Sequence, residues 1–327
     1  MKPKIQDVAK LAGVSPTTVS RVLNDRGYIS EETRENVKRA MKELNYFPND
    51  VARSLFNKRT NLIGLILPTT SNPFFGELTF YIETICNSLG YKILLCNSLN
   101  DIEKEEKYLE MLMRNQVDGI IVGTHNQGIL DYNNENLAVI SIDTYLSDKI
   151  PIVGSDNYNG GKIATELLIS KGCNKIINID GEFNLRTQAR LRKIAYEDVM
   201  KANNKTPITY EIVSAFDGGN QIKVANKILD EHPDVDGVFA TNDLFAAAFI
   251  NEARKRGKKI PEDIKIIGYD GTEASRSLLP DLTTIKQPIE LIAKTSVDIL
   301  IEKIEGNFKN KESKIALPIS LLEGSTT

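Results

Sequence analysis

Two hydrophobic periods divide this chain. Up to about residue 47 the apolar positions recur every three or four residues, as on one face of a helix; from Asn61 they come in short continuous runs separated by amphipathic segments. In the first region Ile5, Val8, Ala9 and Ala12 share a helical face, and Gly13 supplies a residue that ends a helix in the left-handed conformation. Ser15 then offers a capping hydroxyl, and Pro16 suits a first helical turn, where no backbone N–H is needed. On the second helix Val19, Val22 and Leu23 face inward, while Thr17 and Arg21, four apart, share an outward face. After a turn at Asp25-Arg26-Gly27-Tyr28, Ser30 caps a third helix running to about Leu44, with Glu31 and Glu32 at its positive end. Val37, Met41 and Leu44 are spaced to pack that helix on the first two. A core this small is marginal on its own.

The second region reads as alternating strands and helices. Leu62–Leu67, Tyr91–Cys96, Val117–Val122 and Leu137–Ile142 are apolar runs of buried-strand length, with helices about Phe74–Leu89 and Glu103–Asn115 between them. A second series follows, with strands near Lys175–Ile179, Glu211–Val213, Gly237–Ala240 and Ile264–Gly268. Its helices fall near Gly160–Lys171, Gln188–Asn203, Asn220–Glu231 and Leu244–Arg256. Two doubly wound parallel sheets are predicted, and ligands of such sheets sit off the strand C-termini, which places a site in the cleft between two lobes.

Composition narrows the class. The chain has 327 residues, 41% hydrophobic and 26% charged, enough to bury the cores of two or three domains. No run of about 18 apolar residues occurs and the N-terminus is not a basic-then-apolar leader, so the expected location is the cytoplasm, with no membrane association. Cys86, Cys96 and Cys173 form neither a disulfide framework nor a CxxC metal pair, and read as reduced core thiols. The histidines are His125 and His232, the latter expected in a surface loop beside Pro233. No phosphate loop, nucleophile elbow or metal-spaced set occurs, so neither catalysis nor a cofactor is expected. Charge is uneven: residues 1–60 hold 12 Lys and Arg against 7 Asp and Glu, net +5, and the remainder 29 against 37, net −8. Basic character thus concentrates at the helical end, and an acidic whole chain does not argue against nucleic acid.

The outward face of the second helix is the first candidate site. An isolated Thr/Arg pair is most often a solvated face. Here the Gly13 turn and the Ser15-Pro16 start shift the balance toward a helix-turn-helix, whose hydroxyls and guanidinium suit base edges and phosphates in a major groove. The candidate DNA contacts are Ser15, Pro16, Thr17, Thr18, Ser20, Arg21 and Asn24.

The stretch VAKLAGVSPTTVSRVLN followed by ISEETRENVKRAMKELNYFPNDVARSL resembles the headpiece of the lactose-repressor family of bacterial regulators. The resemblance continues through IGLILP, SNPFF, NQVDGII, SDNYNGG, ATND, IGYDG and LTTIKQP, nearly the whole chain. It implies an all-α helix-turn-helix headpiece over residues 1–47, a hinge helix and linker over 48–60, and a two-lobed α/β effector and dimerisation domain over 61–327 resembling periplasmic sugar-binding proteins. Lobe 1 would span about 61–157 and 289–318, and lobe 2 about 160–287 with the C-terminal segment. The chain would cross near Asn157–Asn159, Pro288–Ile289 and Pro318, with the last helix, Ile289 to Glu305, returning to lobe 1. In the hinge, Asn49 to Phe56, Leu55 would wedge into the minor groove when two subunits meet on DNA, as apolar wedges do when they unstack a base step.

The same resemblance picks out an effector set. Arg192 in RLRKIAY matches the family's effector-binding arginine, and Gln287 before Pro288 a hinge glutamine of pentose-binding relatives. With Asn72, Phe74, Phe75, Asp143, Phe216, Asn242 and Asp270, at or near strand ends, they look like a ribose-type sugar pocket: aromatic plates for apolar ring faces, amides and carboxylates for adjacent hydroxyls. A single Asp or Asn at a strand end is more often a cap or turn residue, and Phe74 and Phe75 suit a core equally well. Thr144 stands where many sugar-responsive relatives carry Arg or Trp. Expected partners are palindromic double-stranded DNA, a small sugar effector and a second copy of the chain, since no leucine-repeat tail follows Pro318–Glu323. Within the family, stretches such as LCNSLNDIEKEEKYLEML resemble sucrose-operon repressors most. The alternatives are a sugar receptor merely decorated by helices, which the headpiece and the lack of a leader oppose, and a sugar-acting enzyme, which lacks catalytic groups.

Overall fold

The computed structural model describes residues 3–48, 59–126, 128–129, 132, 137–182, 187–213, 218–309 and 313–327. The hinge expectation over Asn49–Phe56, with Leu55, therefore lies outside the described residues, as does Phe216. Residues 1–60 and 61–327 form two compact units.

Among the described residues the first unit has three helices, α1 (Ile5–Ala12), α2 (Pro16–Leu23) and α3 (Glu31–Glu43). Gly13 ends α1 at φ 66°, a left-handed conformation that costs glycine nothing. The Ser15 hydroxyl accepts the Thr18 N–H at 3.0 Å to start α2, and Ser30 accepts the Thr33 N–H at 3.3 Å to start α3. Val8, Ala9, Val19, Val37 and Ala40 are buried together, with Val22, Leu23, Met41 and Leu44 packed around them. The inward faces are those the periodicity predicts.

The second unit holds two six-stranded sheets. In chain order its elements are β1 (Leu62–Leu67), α4 (Pro73–Ser88), β2 (Lys92–Asn97), α5 (Ile102–Arg114), β3 (Gly119–Val122), β4 (Ala138–Ile142), β5 (Ile152–Ser155), α6 (Asn157–Ser170), β6 (Ile176–Asp180), α7 (Arg190–Ala202), β7 (Ile208–Glu211) and α8 (Gly218–Glu231). Then follow β8 (Gly237–Ala240), α9 (Asp243–Lys255), β9 (Lys265–Asp270), α10 (Glu273–Leu278), β10 (Thr283–Lys286), α11 (Ile289–Ile304), β11 (Lys314–Leu317) and β12 (Ser320–Leu322). Sheet one runs β2-β1-β3-β4-β5-β11 and sheet two β7-β6-β8-β9-β10-β12. Pairing is parallel except for β12 on β10. Within each strand alternate residues serve opposite faces: Ile63 and Leu65 pack with α4 and α11, while Ile66 packs with α5; Ile177 packs with α8 and α9, while Ile176 packs with α6 and α7. Both faces of each sheet are covered, which is why the strands read as unbroken apolar runs.

Both sheets reverse strand order at one point, between β1 and β3 and between β6 and β8. The loops that diverge there leave a crevice at the strand C-termini. The chain passes from sheet one to sheet two between β5 and β6, returns after β10 so that α11 packs on sheet one, and passes again at Pro318, since β11 pairs with β5 and β12 with β10.

Several elements differ from the sequence expectations. The strand predicted at Glu211–Val213 is Ile208–Glu211; its polar, half-buried pattern at the sheet edge masks it, and Val213 beyond it is exposed. β5, β10, β11 and β12 carry too few residues to generate a period. His232 lies in the loop after α8, as expected, but is half-buried there, with its Nε2 3.0 Å from the Tyr210 hydroxyl. The three cysteines are buried free thiols. Among the described residues no helix is long and apolar enough to cross a membrane.

Candidate functional site: an exposed recognition face and an interlobe cleft

On α2, Ser15, Pro16, Thr17 and Arg21 are exposed. Thr18, Ser20 and Asn24 are half-buried and already engaged: Thr18 Oγ1 lies 2.9 Å from Ser15 Oγ, and Asn24 donates its amide to the Ser20 carbonyl at 2.8 Å, closing the helix C-terminus. Thr17 and Arg21 therefore have the most freedom to meet an external partner, and a guanidinium at such a position can grip a guanine through two hydrogen bonds.

The second unit gathers a polar cluster at the strand ends. Asn72, Phe74, Phe75, Asp143, Arg192, Asn242, Asp270 and Gln287 line one cavity of about 150 Å³, room for a small molecule in place of on the order of ten waters. It brings together every residue of the expected effector set that lies among the described residues.

Arg192 is the hub. From α7 its Nε donates to Asn157 Oδ1 at 2.7 Å and its Nη1 to the Thr241 carbonyl at 2.7 Å. Its Cζ lies over the Tyr269 ring, 3.6 Å from the centroid, and Nη1 is 3.7 Å from Asp270 Oδ1. The helix comes close enough because Gly161 of α6 has no side chain: a Cβ there would fall 2.3 Å from the Arg192 carbonyl oxygen. Gln287 links the lobes, donating to Asp270 Oδ1 at 2.7 Å and accepting from the Ser155 hydroxyl at 2.7 Å. Asp143 accepts from Asn157 Nδ2 at 3.3 Å.

Both central carboxylates sit on unusual backbone. Asp143 has φ 56° and Asp270 φ 108°, a region that side chains avoid, and such strain gathers at sites where surrounding structure fixes a group in place. Burial pushes Asp143 up to about 6 against the opposing pull of Arg192 and Asn157. Burial likewise pushes Asp270 up to about 7, with the Asp243 carboxylate adding to the rise and Arg192 opposing it.

Asn72 and Asn242 realise both readings of a strand-end amide. Each accepts through Oδ1 from a backbone N–H of the helix it caps, Phe74 at 2.9 Å and Phe245 at 2.8 Å, and also lines the cavity. Phe74 and Phe75 are both core and wall, buried in the sheet-one cluster while lining the cavity. Thr144 is fully buried and donates to the Thr124 carbonyl at 2.6 Å, so it braces the loop rather than lining the cavity. Beside it the Gln188 N–H donates to the Asp143 carbonyl at 2.7 Å, joining the lobes across the cleft.

Sequence reasoning missed Asn157, Tyr269 and Thr241 as supports of Arg192, and His125 and Asp180 as parts of the wall. Asn157 and Tyr269 stand inside the motifs SDNYNGG and IGYDG, but nothing local shows that they meet. His125, on the loop after β3, carries a buried Nδ1 with no hydrogen-bond partner among the described residues, and burial pushes its imidazole down to about 4.

A helix-turn-helix headpiece on the same chain as two parallel-sheet lobes around a polar cleft defines a ligand-responsive DNA-binding regulator. Residues 4–49 match the bacterial regulatory proteins of the lacI family, and residues 165–327 match the periplasmic binding protein-like domain. The chain belongs to the lacI family and is a transcriptional regulator, not an enzyme. It is 45% identical over 326 residues, all of both chains, to the sucrose operon repressor of Pediococcus pentosaceus. It is 42% identical to the ribose operon repressor of Halalkalibacterium halodurans, over 92% of this chain and 90% of that one. Among solved structures it is similar to the lac repressor dimer bound to operator and an anti-inducer, at 28% identity and a TM-score of 0.87, covering 100% of this chain and 99% of that chain.

Proposed function

We propose that this protein represses a carbohydrate-utilisation operon, of sucrose type in the first place and ribose type in the second, and that a small sugar held between the two lobes changes its affinity for a palindromic operator. It acts in the cytoplasm as a homodimer, so that two α2 helices meet two half-sites. The observation that carries this reading is the convergence of Asp143, Arg192, Asp270 and Gln287 on one cavity, in a chain whose headpiece leaves Thr17 and Arg21 exposed. Carboxylates and a guanidinium side by side accept from and donate to adjacent hydroxyls, while Phe74 and Phe75 offer apolar surface to a ring. Full-length likeness to a sucrose operon repressor, and likeness over 92% of the chain to a ribose operon repressor, supports the choice of sugar class.

In the headpiece the DNA contacts are Ser15, Pro16, Thr17, Thr18, Ser20, Arg21 and Asn24, with Thr17 and Arg21 reading bases. Leu55 is the minor-groove wedge in this reading; its warrant is the family resemblance of its segment. Phe216 belongs to the effector set on the same warrant. The sugar must favour one lobe arrangement over another, because only differential affinity shifts an equilibrium.

The test is a gel shift with fragments of the organism's sucrose and ribose loci, with and without each sugar. The expected result is a sequence-selective complex that withstands moderate salt and whose midpoint moves with one sugar. Binding that is uniform across sequences and unmoved by any sugar overturns the reading.

A further inference from the structure

The floor of the cleft is over-supplied with carboxylates. Asp143, Asp180 and Asp270 reach the cavity from three strand ends, Asp243 stands behind Asp270, and the one buried cation among the described lining residues is Arg192. That guanidinium is heavily committed, to Asn157, to the Thr241 carbonyl and to the face of Tyr269. Resting on the reading of this cleft as the effector site, we propose that it is built for an uncharged polyhydroxyl ligand and excludes the phosphate esters of the same sugars, so that the free sugar is the signal.

The charge inventory supports this at each depth. Burial raises Asp143 to about 6, Asp243 to about 6 and Asp270 to about 7, and raises Asp180 as well; Arg192 opposes the rise at Asp143 and Asp270, and hydrogen bonds from Thr241 and the Gly181 N–H together with Arg192 and Lys193 oppose it at Asp180, without cancelling it. A site already holding more negative charge than its cation offsets penalises a further anion. A phosphate brought to Arg192 meets Asp270, 3.7 Å from the same guanidinium, and Asp143, which shares Asn157 with it. His125, the imidazole of the wall, is kept neutral at physiological pH by its burial and supplies no compensating charge. At the rim, Arg190 is exposed to solvent screening, and Lys193 lies 3.7 Å from Glu197.

Hydroxyls see the same groups differently. They donate to Asp143 and Asp270 and accept from Asn72, Asn242 and Arg192, so an uncharged ligand uses both signs of the floor without adding to either. The exclusion of the ester is then a repulsive element of specificity built from the residues that bind the free sugar.

The experiment is calorimetry on the full chain at pH 7.5 with three matched pairs: ribose and ribose 5-phosphate, fructose and fructose 6-phosphate, sucrose and sucrose 6-phosphate. Whichever free sugar binds, its ester is expected to bind at least about tenfold more weakly, with the gap widening at low salt. Asp180→Asn, and Glu182→Gln at the half-buried carboxylate two residues further on that also lines the cavity, each verified folded by its melting transition, are expected to narrow the gap by raising ester affinity. An ester that binds as tightly as its free sugar, or more tightly, overturns the proposal while leaving a sugar-phosphate-responsive regulator. If no sugar and no ester binds, the sugar reading fails and the proposal falls with it.

Discussion

The headpiece and the cleft solve the problem of presenting side chains in opposite ways. In the headpiece the groups that shape the recognition helix are sequence neighbours: Ser15 caps three residues ahead at Thr18, and Asn24 closes four residues back at Ser20. In the cleft the contacts are long-range, with Ser155 bonded to Gln287 across 132 positions and Arg192 bonded to Asn157 across 35. The headpiece exposes Thr17 and Arg21 on a small core, whereas the cleft buries Arg192 and Asp270 to below a tenth of their surface. The first arrangement suits a large partner that brings its own surface; the second suits a small ligand that must be enclosed to be read.

The largest expected effect tests the enclosed side. Arg192→Ala leaves Asp270 buried without its cation and frees the Thr241 carbonyl, so sugar affinity should fall by about 3 kcal/mol or more. Calorimetry measures that loss, and a gel shift without sugar should show operator affinity unchanged. Loss of both activities would mean that Arg192 holds the fold rather than the ligand.

Next comes the headpiece core. Val37 is fully buried in a cluster with five buried side chains among the described residues, so Val37→Ala should destabilise the headpiece by about 2 kcal/mol. Differential scanning calorimetry should show an early transition moving down while sugar binding stays intact. A single unchanged transition would show that the headpiece does not melt separately.

Arg21→Ala sharpens the exposed side. Operator affinity should fall by about 1–3 kcal/mol, and preference should relax at one position per half-site. A uniform loss over all sequences would make Arg21 a phosphate contact instead.

The smallest effect is electrostatic and falls on the cleft alone. Burial raises Asp270 to about 7, and ligand hydroxyls favour its ionised form, so sugar affinity should weaken by up to about tenfold per unit as pH falls below about 7. Stability runs the other way. A carboxyl whose folded pKa is raised holds more protons folded than unfolded, so its contribution to the stability of the sugar-free protein declines as pH rises from about 4 to about 7. Melting curves of the wild type and Asp270→Asn over that range should diverge accordingly, with the slope reduced in the variant. Parallel curves would show that Asp270 is ionised throughout, and Arg21-dependent binding should be indifferent to the same change.

What the sequence determined by itself is what short-range physics controls. Caps at Ser15 and Ser30, the glycine stop at Gly13 and the apolar periods located the three headpiece helices; the runs Leu62–Leu67 and Gly237–Ala240 located central strands, because a strand covered on both faces must be apolar throughout. The residues of the cleft, such as Asp143 and Arg192, were legible as a set through resemblance to a family, but the contacts that join them were not. Tertiary structure alone decided that Arg192 lies over Tyr269 and is tied to Asn157 and Thr241, that Gln287 bridges Ser155 and Asp270, and that Thr144 turns inward to brace a loop. It also decided the places of β5 and β10 to β12, whose few residues gain a sheet position only from their neighbours. The reason is range. A cap or a hydrophobic stripe is complete within one turn of chain, whereas a buried charge cluster exists only when strand ends from two sheets meet and water is excluded between them.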